Sequence, residues 1–279
     1  MKIAIIGGLG FVGTNLYKYL KKKKINVKIF DNLKVKNNLK FINKKDIVFL
    51  DIRKYSSFKK KLIQFDFIIN LAGQTGVLES NEKPYYCISE NIIGFSNILN
   101  VIKNSNKKIK IINASTGGAI YGDSKMICNE ESNKFPISYY GLSKKFNEEL
   151  SSIFFKLHKV ETVNLRFSNV YGEYSEHKKS LIHNSIKNML TDKKFKIFGD
   201  GKQTRDFIYV QDLIKLIYKS LKLKHGSYNF ASGSSYSVNY IINILKKIKP
   251  NLKMINTKKN LTEVRNVNIS NKKIIKKLK

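Results

Sequence analysis

The segment that most constrains the fold of this chain is IIGGLGFVGTNL, at residues 5–16. Glycines at 7, 10 and 13 follow a short apolar strand-like segment and precede a pattern typical of a helix. Such glycines allow a tight turn and let backbone N–H groups approach a pyrophosphate, and the helix N-terminus adds partial positive charge. The first two glycines are one residue further apart than in the Gly-x-Gly-x-x-Gly form, so the loop needs support from its surroundings.

Acidic residues end the next two predicted strands and support a dinucleotide site. Asp31 ends VKIFDN, 21 residues after Gly10, where a carboxylate can accept a hydrogen bond from the adenosine ribose 2′-hydroxyl. An acid there disfavours a 2′-phosphate, so the expected cofactor is NAD rather than NADP. Asp51 ends IVFLDI, where it could reach the adenine.

Strand and helix signals alternate through the first half of the chain. We expect helices over 13–24, from Pro84 to about Lys103 and from Ser138 to about His158. The expected strands are KIAIIG, VKIFDN, IVFLDI, FDFIINLAG, KIKIINAS and ETVNLRFSNV. Near-continuous apolar character, as in FDFIINLAG, is typical of a parallel sheet covered by helices on both faces. The pattern predicts the α/β class with a doubly wound parallel sheet.

After Tyr171 the sequence becomes more polar and turn-rich. KFKIFGDGKQTRDFIYVQD predicts two short strands around a Gly-Asp-Gly turn, and a helix follows at about 211–222. SYNFAS predicts another strand, Ser237 to about Lys249 a helix, and KKIIKKLK a short amphipathic end. We therefore expect a nucleotide-binding domain over 1–168, rejoined by about 204–222, and a smaller α/β substrate lobe from 169–203 and 223–279.

A tyrosine and a lysine lie four residues apart near the start of the helix predicted from Ser138. In YGLSK, Tyr140 and Lys144 share one helix face. The unperturbed pKa of tyrosine is about 10, and a neighbouring ammonium group favours the phenolate, which can then act as a base near neutral pH. Tyr-x-x-x-Lys is a common accident, but downstream of a dinucleotide loop it predicts an active site.

The chain carries 53 lysine and arginine residues against 20 acids, a formal net charge of +33. The excess is nearly all lysine, is spread along the chain, and forms no RNA-recognition signature, so we expect no specific nucleic-acid partner. Abundant isoleucine and asparagine without tryptophan are typical of an AT-rich coding sequence. A positive field would also attract an anionic substrate.

Composition bears on the compartment as well. No apolar run reaches the length of a membrane span, and the sequence after Met1 lacks the pattern of a cleaved leader. Cys87 and Cys128 lie in no metal or redox spacing, which is typical of idle thiols in a reducing compartment. We expect a cytoplasmic protein with no membrane span and no metal site.

Ten segments carry a family resemblance that covers nearly the whole chain. They are GGLGFVG, FDN at 30–32, LDIR at 50–53, INLAGQTGV at 69–77, ENIIGFSNIL at 90–99, ASTGGAIYGD at 114–123, YYGLSK at 139–144, LRFSNVYG at 165–172, GDGKQTRDFIYVQD at 199–212 and EVRNV at 263–267. In this order they resemble the extended short-chain dehydrogenase/reductases of the NAD-dependent nucleotide-sugar epimerase and dehydratase family, and among these the UDP-glucose 4-epimerases. The resemblance implies a Rossmann-type domain, bound NAD and a nucleotide-diphosphate sugar as substrate.

The resemblance also implies roles for individual residues. Tyr140 would be the base, Lys144 would bond the nicotinamide ribose, and a hydroxyl from Thr116 would contact the sugar. The other residues implied to hold NAD are Gly7, Gly10, Phe11, Val12, Gly13, Asp31, Asn32, Asp51, Ile52, Leu71, Ala72, Gly73 and Phe167. Those implied to hold the nucleotide diphosphate are Asn169, Arg205 and Arg265, and Glu263 is the acid implied to hold the nucleotide. The guanidinium fork of Arg205 suits phosphate oxygens, although a salt bridge to Asp206 is an alternative.

Three departures from the family pattern matter. The Ser or Thr expected four residues before Tyr121 is replaced by Gly117, so the hydroxyl role passes to Thr116, with Ser115 as the alternative. Dehydratases carry an Asp-Glu pair directly after that hydroxyl, whereas this chain has Gly117 and Gly118. Asn260 replaces an arginine expected three residues before Glu263, where Lys259 could compensate, so the nucleotide base stays open.

The function predicted from these features is a nucleotide-sugar 4-epimerase that acts through a transient 4-keto sugar. The alternatives are a reductase, a 2-epimerase, a decarboxylase or a dehydratase on the same frame, a non-catalytic NAD-binding protein and, from the charge, a nucleic-acid binder. Gln74, Val77 and Glu79 could face the sugar or be plain loop positions.

Surplus apolar residues on the helices after Pro84 and Ser138 predict a homodimer, as in the resembling family. These residues are Ile92, Phe95, Leu150 and Phe154, and the alternative is that they face the sheet.

Overall fold

The computed structural model describes residues 1–57, 61–178, 180–257 and 264–278. The strands in these ranges are β1 (Lys2–Ile6), β2 (Asn26–Asp31), β3 (Ile47–Phe49), β4 (Phe67–Asn70), β5 (Lys110–Thr116), β6 (Thr162–Phe167), β7 (Asn169–Tyr171), β8 (Phe195–Phe198), β9 (Thr204–Tyr209), β10 (Gly226–Phe230), β11 (Ser235–Ser237) and β12 (Met254–Thr257). Seven of them form a parallel sheet in the order β10-β6-β5-β4-β1-β2-β3. This doubly wound sheet confirms the predicted fold class.

Helices cover both faces of the sheet. They are α1 (Phe11–Lys22), α2 (Val77–Glu82), α3 (Pro84–Ile88), α4 (Gly94–Lys103), α5 (Gly117–Ile120), α6 (Tyr139–His158), α7 (Leu181–Leu190), α8 (Val210–Ser220), α9 (Val238–Ile248) and α10 (Lys272–Leu278). Successive β1 side chains separate the two layers, because neighbouring strand residues point to opposite faces. Ile3 and Ile5 pack with α1 and α8, whereas Ala4 and Ile6 pack with α4 and α6.

The helix predicted from Pro84 to Lys103 contains a π-helical turn, Ser89–Ile93, between α3 and α4. This turn places Glu90 and Asn91 in the buried interior, although both are polar. A wider turn shifts the register of the helix, so side chains that follow it face a different direction than a regular helix would give. Regular helical spacing in the sequence does not predict such a turn.

The residues expected to form a dimer face pack against the sheet instead. Phe95 is fully buried, and Leu150 and Phe154 lie against the same apolar layer. The apolar character of these helices therefore covers the sheet first, as a doubly wound fold requires.

The smaller lobe is built from two short sheets. The strand order is β11-β9-β7 in one, and β8 pairs with β12 in the other. The two strands around the Gly-Asp-Gly turn therefore do not pair with each other. The predicted strand ETVNLRFSNV divides at Ser168: β6 ends in the central sheet, and β7 begins in the small one.

The expected domain boundary differs at the C-terminal end. β10 pairs with β6 in the central sheet, and α10 contacts β10 with Ile274 buried. β10 and α10 thus belong to the larger domain, because the edge of β6 needs a hydrogen-bonding partner and an apolar cover. In the segment 204–222, α8 packs into the same apolar cluster as β1 and α1.

Candidate active site

The glycine loop joins β1 to α1 at the carboxyl edge of the sheet. Gly7 has φ +77° and donates its N–H to Phe30 O at 2.8 Å. A Cβ on Gly7 would lie 2.7 Å from Ala72 N, and a Cβ on Gly13 would lie 2.6 Å from Gly7 O. A Cβ on Gly10 would meet only Gly7 O, at 3.2 Å, among the described atoms. Two glycines thus allow close backbone packing, and the third leaves open space beside the loop.

The first turn of α1 completes an anion-binding cradle. Its N-cap residue makes no side-chain capping bond, and the turn carries no acidic residue. N–H groups in a first helical turn, here those of Phe11, Val12 and Gly13, have no partner one turn earlier. They can therefore bond an anionic group that enters beside Gly10.

Asp31 fastens the glycine loop to the end of β2. Its Oδ2 accepts from Leu9 N at 3.0 Å and its Oδ1 accepts from Leu33 N at 2.9 Å. Burial raises the pKa of Asp31 above its ordinary value, and these backbone hydrogen bonds oppose the rise. A carboxylate has about four acceptor positions, so Asp31 can still accept from ribose hydroxyls. Asn32, beside it, accepts from Lys34 N at 3.2 Å.

Asp51 and Ile52 follow β3, and each is held by its own neighbours. Arg53 donates to both Asp51 oxygens, at 2.9 and 2.5 Å, and this hydrogen bonding lowers the pKa of Asp51. Ile52 packs so closely on α4 that a Cβ on Gly94 would lie 2.5 Å from it. The site therefore has a charged and an apolar residue fixed at the edge where an adenine is expected.

The segment after β4 links the glycine loop to the predicted catalytic lysine. Leu71 N donates to Ile6 O at 2.9 Å, and Ala72 touches Gly7. Gly73 has φ +142°, and a Cβ there would lie 2.5 Å from Asn91 Oδ1 and 3.7 Å from Lys144 Nζ. The Leu71–Gly73 segment therefore lies between the two halves of the site.

These observations fit NAD. The open side of Gly10, the uncapped first turn of α1 and the free acceptor positions of Asp31 match a pyrophosphate and a ribose diol. A Cβ at position 7 or 13 would collide with neighbouring backbone, so glycine at these two positions keeps the loop close to the strand ends.

Thr116 ends β5, and its Oγ1 accepts from Ala119 N at 3.2 Å, which caps α5. The Thr116 side chain also lies close to the Tyr140 hydroxyl and acts to lower the pKa of that group. Ser115 points the other way, because strand side chains alternate. Its Oγ donates to Glu148 Oε1 at 2.7 Å, in a buried cluster where Glu148 pairs with Arg166 at 2.7 Å. The geometry thus favours Thr116 over Ser115 as the hydroxyl at the site.

The glycine pair after Thr116 has two different environments. A Cβ on Gly117 would lie 2.7 Å from Ile269 Cδ1 and 3.2 Å from Arg166 O, so a larger side chain does not fit without movement. A Cβ on Gly118 would meet only Val267 Cγ1, at 3.9 Å, within the described residues. Neither position supplies a carboxylate beside Thr116.

Tyr140 and Lys144 begin α6, which is capped by Ser138. Lys144 Nζ lies 5.9 Å from the Tyr140 ring centroid and donates to Ala114 O at 2.9 Å. Burial raises the pKa of Tyr140 to about 12, and the nearby Thr116 side chain opposes the rise. Burial lowers the pKa of Lys144 to about 8. Both groups are therefore held in a desolvated setting in which a bound cation can change their protonation strongly.

Asn91 connects the two sides of the site, and the sequence pattern did not indicate it. Its Oδ1 accepts from Gln74 N at 2.8 Å, and its Nδ2 donates to Ser143 Oγ at 2.9 Å. Asn147 Nδ2 in turn donates to the Asn91 backbone oxygen at 2.9 Å. No signal in the sequence marks Asn91, because the same segment carries a second polar pair, Ser96-Asn97.

The residues predicted to hold a diphosphate lie in the smaller lobe. Arg205 Nη1 donates to Thr204 O at 2.7 Å and to Arg265 O at 3.4 Å, so these two arginines are neighbours. Arg265 also pairs with Asp200 at 2.8 Å. Glu263 lies outside the described residues.

Asn169 and Phe167 lie where the two sheets diverge. Asn169 Nδ2 donates to Asp206 O at 3.2 Å, and Phe167 is the β6 partner of Thr116. The Asp206 carboxylate accepts from Ser232 and Gly233, at 2.8–2.9 Å. Phe167 thus lies beside Thr116, and Asn169 lies beside the strand that carries Arg205.

Comparison with known proteins identifies the family of this chain. Residues 3–231 match the NAD dependent epimerase/dehydratase family. A putative UDP-glucose 4-epimerase of Methanocaldococcus jannaschii is 36% identical over 248 residues, covering 88% of this chain and 81% of that protein. The chain therefore belongs to the NAD-dependent epimerase/dehydratase family, and its cofactor is NAD.

Two solved structures show how far the likeness extends. A UDP-glucuronic acid 4-epimerase from Bacillus cereus, in complex with UDP-glucuronic acid and NAD, superposes with a TM-score of 0.91 at 29% identity, covering 100% of this chain and 93% of that one. DesIV, a dTDP-glucose 4,6-dehydratase from Streptomyces venezuelae, superposes with a TM-score of 0.92 at 20% identity, covering 100% and 91%. The second likeness concerns the fold alone.

The described part of the chain contains neither a candidate membrane span nor a candidate metal site. None of its helices is long and apolar enough to cross a membrane. No group of three His, Cys, Asp or Glu side chains there could hold a metal ion.

Proposed function

We propose that this protein is an NAD-dependent 4-epimerase of nucleotide-diphosphate sugars. The observation that carries the proposal is the grouping of Tyr140, Thr116 and Lys144 at the sheet edge beside the glycine loop. A hydroxyl, a buried phenol and a buried amine at this place suit the removal of a proton from a sugar alcohol.

Tyr140 is the base in this proposal. As the phenolate, it takes the proton of the sugar 4-hydroxyl, while Thr116 donates a hydrogen bond to the same oxygen. Lys144 favours the phenolate through its positive charge and bonds the nicotinamide ribose. The chemistry that NAD supplies when bound is acceptance of the C4 hydride and its return to the opposite face. Tyr140 then gives the proton back to the inverted alcohol.

The glycine pair supports an epimerase over a dehydratase. Loss of water from C5 and C6 needs an acid and a base near C6, and the family dehydratases place both directly after the hydroxyl residue. Here those places belong to Gly117 and Gly118, which carry no side chain that could act as an acid or a base.

The test is incubation of purified protein with a panel of nucleotide sugars and no added cofactor, followed by NMR of the products. The proposal expects a mixture of C4 epimers of unchanged mass. A product lighter by one water indicates a dehydratase, loss of carbon dioxide a decarboxylase, and a need for reduced cofactor a reductase. NAD binding without turnover of any sugar would contradict an enzymatic role.

We also propose that the protein is a homodimer joined through α3, α4 and α6. Leu142, Phe146 and Ile153 lie at helical spacing on one face of α6, and all are exposed. The neighbouring helix exposes Tyr85, Ile88 and Ile93, the last two brought to one face by the π turn. Contiguous apolar surface of this kind is typical of an interface.

Light scattering tests the dimer. The wild type is expected to give twice the 32.2 kDa chain mass, and Phe146→Asp is expected to give a monomer. Ile186→Asp on α7 is the matched control, since Ile186 is equally exposed but lies elsewhere. A monomeric wild type at working concentration would rule the dimer out.

For its location we propose the cytoplasm, because Cys87 and Cys128 are both buried as free thiols.

A further inference from the structure

The loop after β7 is fixed to the cofactor side of the molecule. Asn15 Nδ2 donates to Glu173 O at 2.9 Å, and Asn38 Nδ2 donates to Tyr174 O at 3.1 Å. The Tyr174 ring also packs edge-on against Phe41, with centroids 4.7 Å apart. These contacts hold the residues just before Lys178 in a defined place over the cleft.

The side chain of Lys178 connects this loop to the segment after β4. Its Nζ donates to Thr75 Oγ1 at 2.9 Å. It forms no ion pair with a described residue, and Glu79 acts on it only as a more distant charge. Burial lowers the pKa of Lys178 below its ordinary value. An ammonium group has three donors, so this half-buried cation has hydrogen-bonding capacity that the described chain does not use.

Two buried polar atoms nearby also lack partners among the described residues. They are Nδ1 of His177, the residue before Lys178, and Oε1 of Gln74, the residue before Thr75. Burial lowers the pKa of His177 to about 4, so its ring is neutral at physiological pH. Buried polar groups are normally satisfied, and each of these two lies one residue from the Lys178–Thr75 pair, which leaves polar capacity there for a ligand.

The position of this group relative to the chemistry decides which part of a substrate it meets. Thr75 is two residues from Gly73, whose Cβ position lies 3.7 Å from Lys144 Nζ. Two residues span at most about 7 Å, so Lys178 lies near the catalytic pair. Arg205 and Arg265, the predicted diphosphate ligands, lie in the smaller lobe with the Gly-Asp-Gly turn. Lys178 is thus placed to meet the sugar.

We propose that Lys178 binds a carboxylate at C6 of the sugar, so that the substrate is a nucleotide-diphosphate uronic acid. Thr75 holds the ammonium group in place, and Gln74 Oε1, an acceptor, is left for a sugar hydroxyl. This inference rests on the proposed function, since it names the substrate class of the same site. The alternative is a purely structural role, in which the hydrogen bond from Lys178 to Thr75 only joins the two loops.

The experiment compares UDP-glucuronic acid with UDP-glucose, which differ at C6 alone. The wild type is expected to have at least about tenfold higher kcat/KM for the uronic acid. Lys178→Met is expected to lower kcat/KM for the uronic acid by about 30-fold or more and to remove the preference, because one partner of a desolvated charge pair is lost. Lys178→Arg keeps the charge and is expected to keep the preference.

Lys83→Met is the control, because it removes the same charge from an exposed position at the end of α2. It is expected to leave the ratio of the two kcat/KM values unchanged. Thermal unfolding checks that Lys178→Met is folded. A wild type that prefers UDP-glucose, or an equal loss for both sugars in Lys178→Met, overturns the inference and leaves the epimerase standing.

Binding separates failure of this inference from failure of the proposed function. Calorimetry with both sugars needs no turnover, so it applies even if neither sugar is epimerised. Tighter binding of UDP-glucuronic acid that Lys178→Met abolishes would support the uronic acid site alone. Equal binding of the two sugars by the wild type would contradict it.

Discussion

On the side of the cleft where we place the cofactor, the backbone at Gly7 and Gly13 packs directly against neighbouring backbone. On the side where we place the substrate, two separate loops are joined by a hydrogen bond between the Lys178 and Thr75 side chains. The first arrangement is set by parallel strands whose ends meet at one edge, so it tolerates no added atom. The second depends on which side chains the loops carry, so it can change without disturbing the sheet. We therefore expect the fold to keep its NAD site while the residues of the substrate loops, and with them the preferred sugar, change.

Tyr140→Phe is expected to have the largest effect, because it removes the base and leaves both sides in place. We expect kcat to fall by about 10³-fold. NAD content, measured by absorbance after denaturation, is expected to stay as in the wild type. Tyr139→Phe, at the exposed neighbouring position, is the control. Near-normal turnover in Tyr140→Phe would remove the base from the mechanism.

Thr116→Ala tests the junction between the two sides. Loss of a hydrogen bond to the reacting oxygen is expected to lower kcat by about 10²-fold. Thr116→Ser is expected to retain most activity. Ser115→Ala is the matched control: it should lower the unfolding temperature, because it leaves Glu148 short of a donor, but it should leave kcat within a few-fold. The reverse pattern would assign the role to Ser115.

Lys144→Met tests the electrostatic link from the cofactor side to the base. Without the ammonium group the pKa of Tyr140 rises, and a base must be deprotonated to act. The acidic limb of the kcat profile is therefore expected to move to higher pH by about one unit or more. Since burial lowers the pKa of Lys144 to about 8, the wild type loses this advantage above that pH, and the two profiles should converge there. Parallel profiles with no shift would contradict the link.

The smallest expected effect is the difference in NAD binding between Gly13→Ala and Gly118→Ala. A methyl group at 13 meets backbone 2.6 Å away, so we expect at least about tenfold weaker NAD binding, with binding of the nucleotide sugar retained. A methyl group at 118 meets only a 3.9 Å contact, and we expect kcat and NAD binding within about twofold of the wild type. Equal effects at both positions would show that the two glycine turns are not built differently.

The sequence predicts the cofactor side of the cleft better than the substrate side, because the first depends on regular strands and helices and the second on side chains from separate loops. Asp31, Tyr140 and Lys144 lie on regular elements, so strand ends and helical spacing were enough to bring them together. On the sequence alone Thr116 and Ser115 stay alternatives, and the structure separates them, because Ser115 points to the opposite face of β5 and bonds Glu148.

What the sequence missed depends on irregular backbone or on contacts between distant segments. The π turn at Ser89–Ile93 sends Asn91 inward, and no periodic pattern reports it. The pairing of Lys178 with Thr75 joins residues 103 positions apart, and nothing local to either marks it. The dimer residues predicted on α6, Leu150 and Phe154, lie against the sheet instead. An amphipathic pattern does not say which of two apolar surfaces on a helix meets the sheet.

The most direct test of the central claim uses a nucleotide sugar carrying deuterium at C4. The labelled substrate, UDP-glucuronic acid or UDP-glucose, is incubated with purified protein in ordinary water and no added cofactor, and both epimers are analysed by NMR and mass spectrometry. The account predicts inversion at C4 with the deuterium retained at that carbon. Loss of the label to solvent, or turnover without inversion at C4, would contradict it.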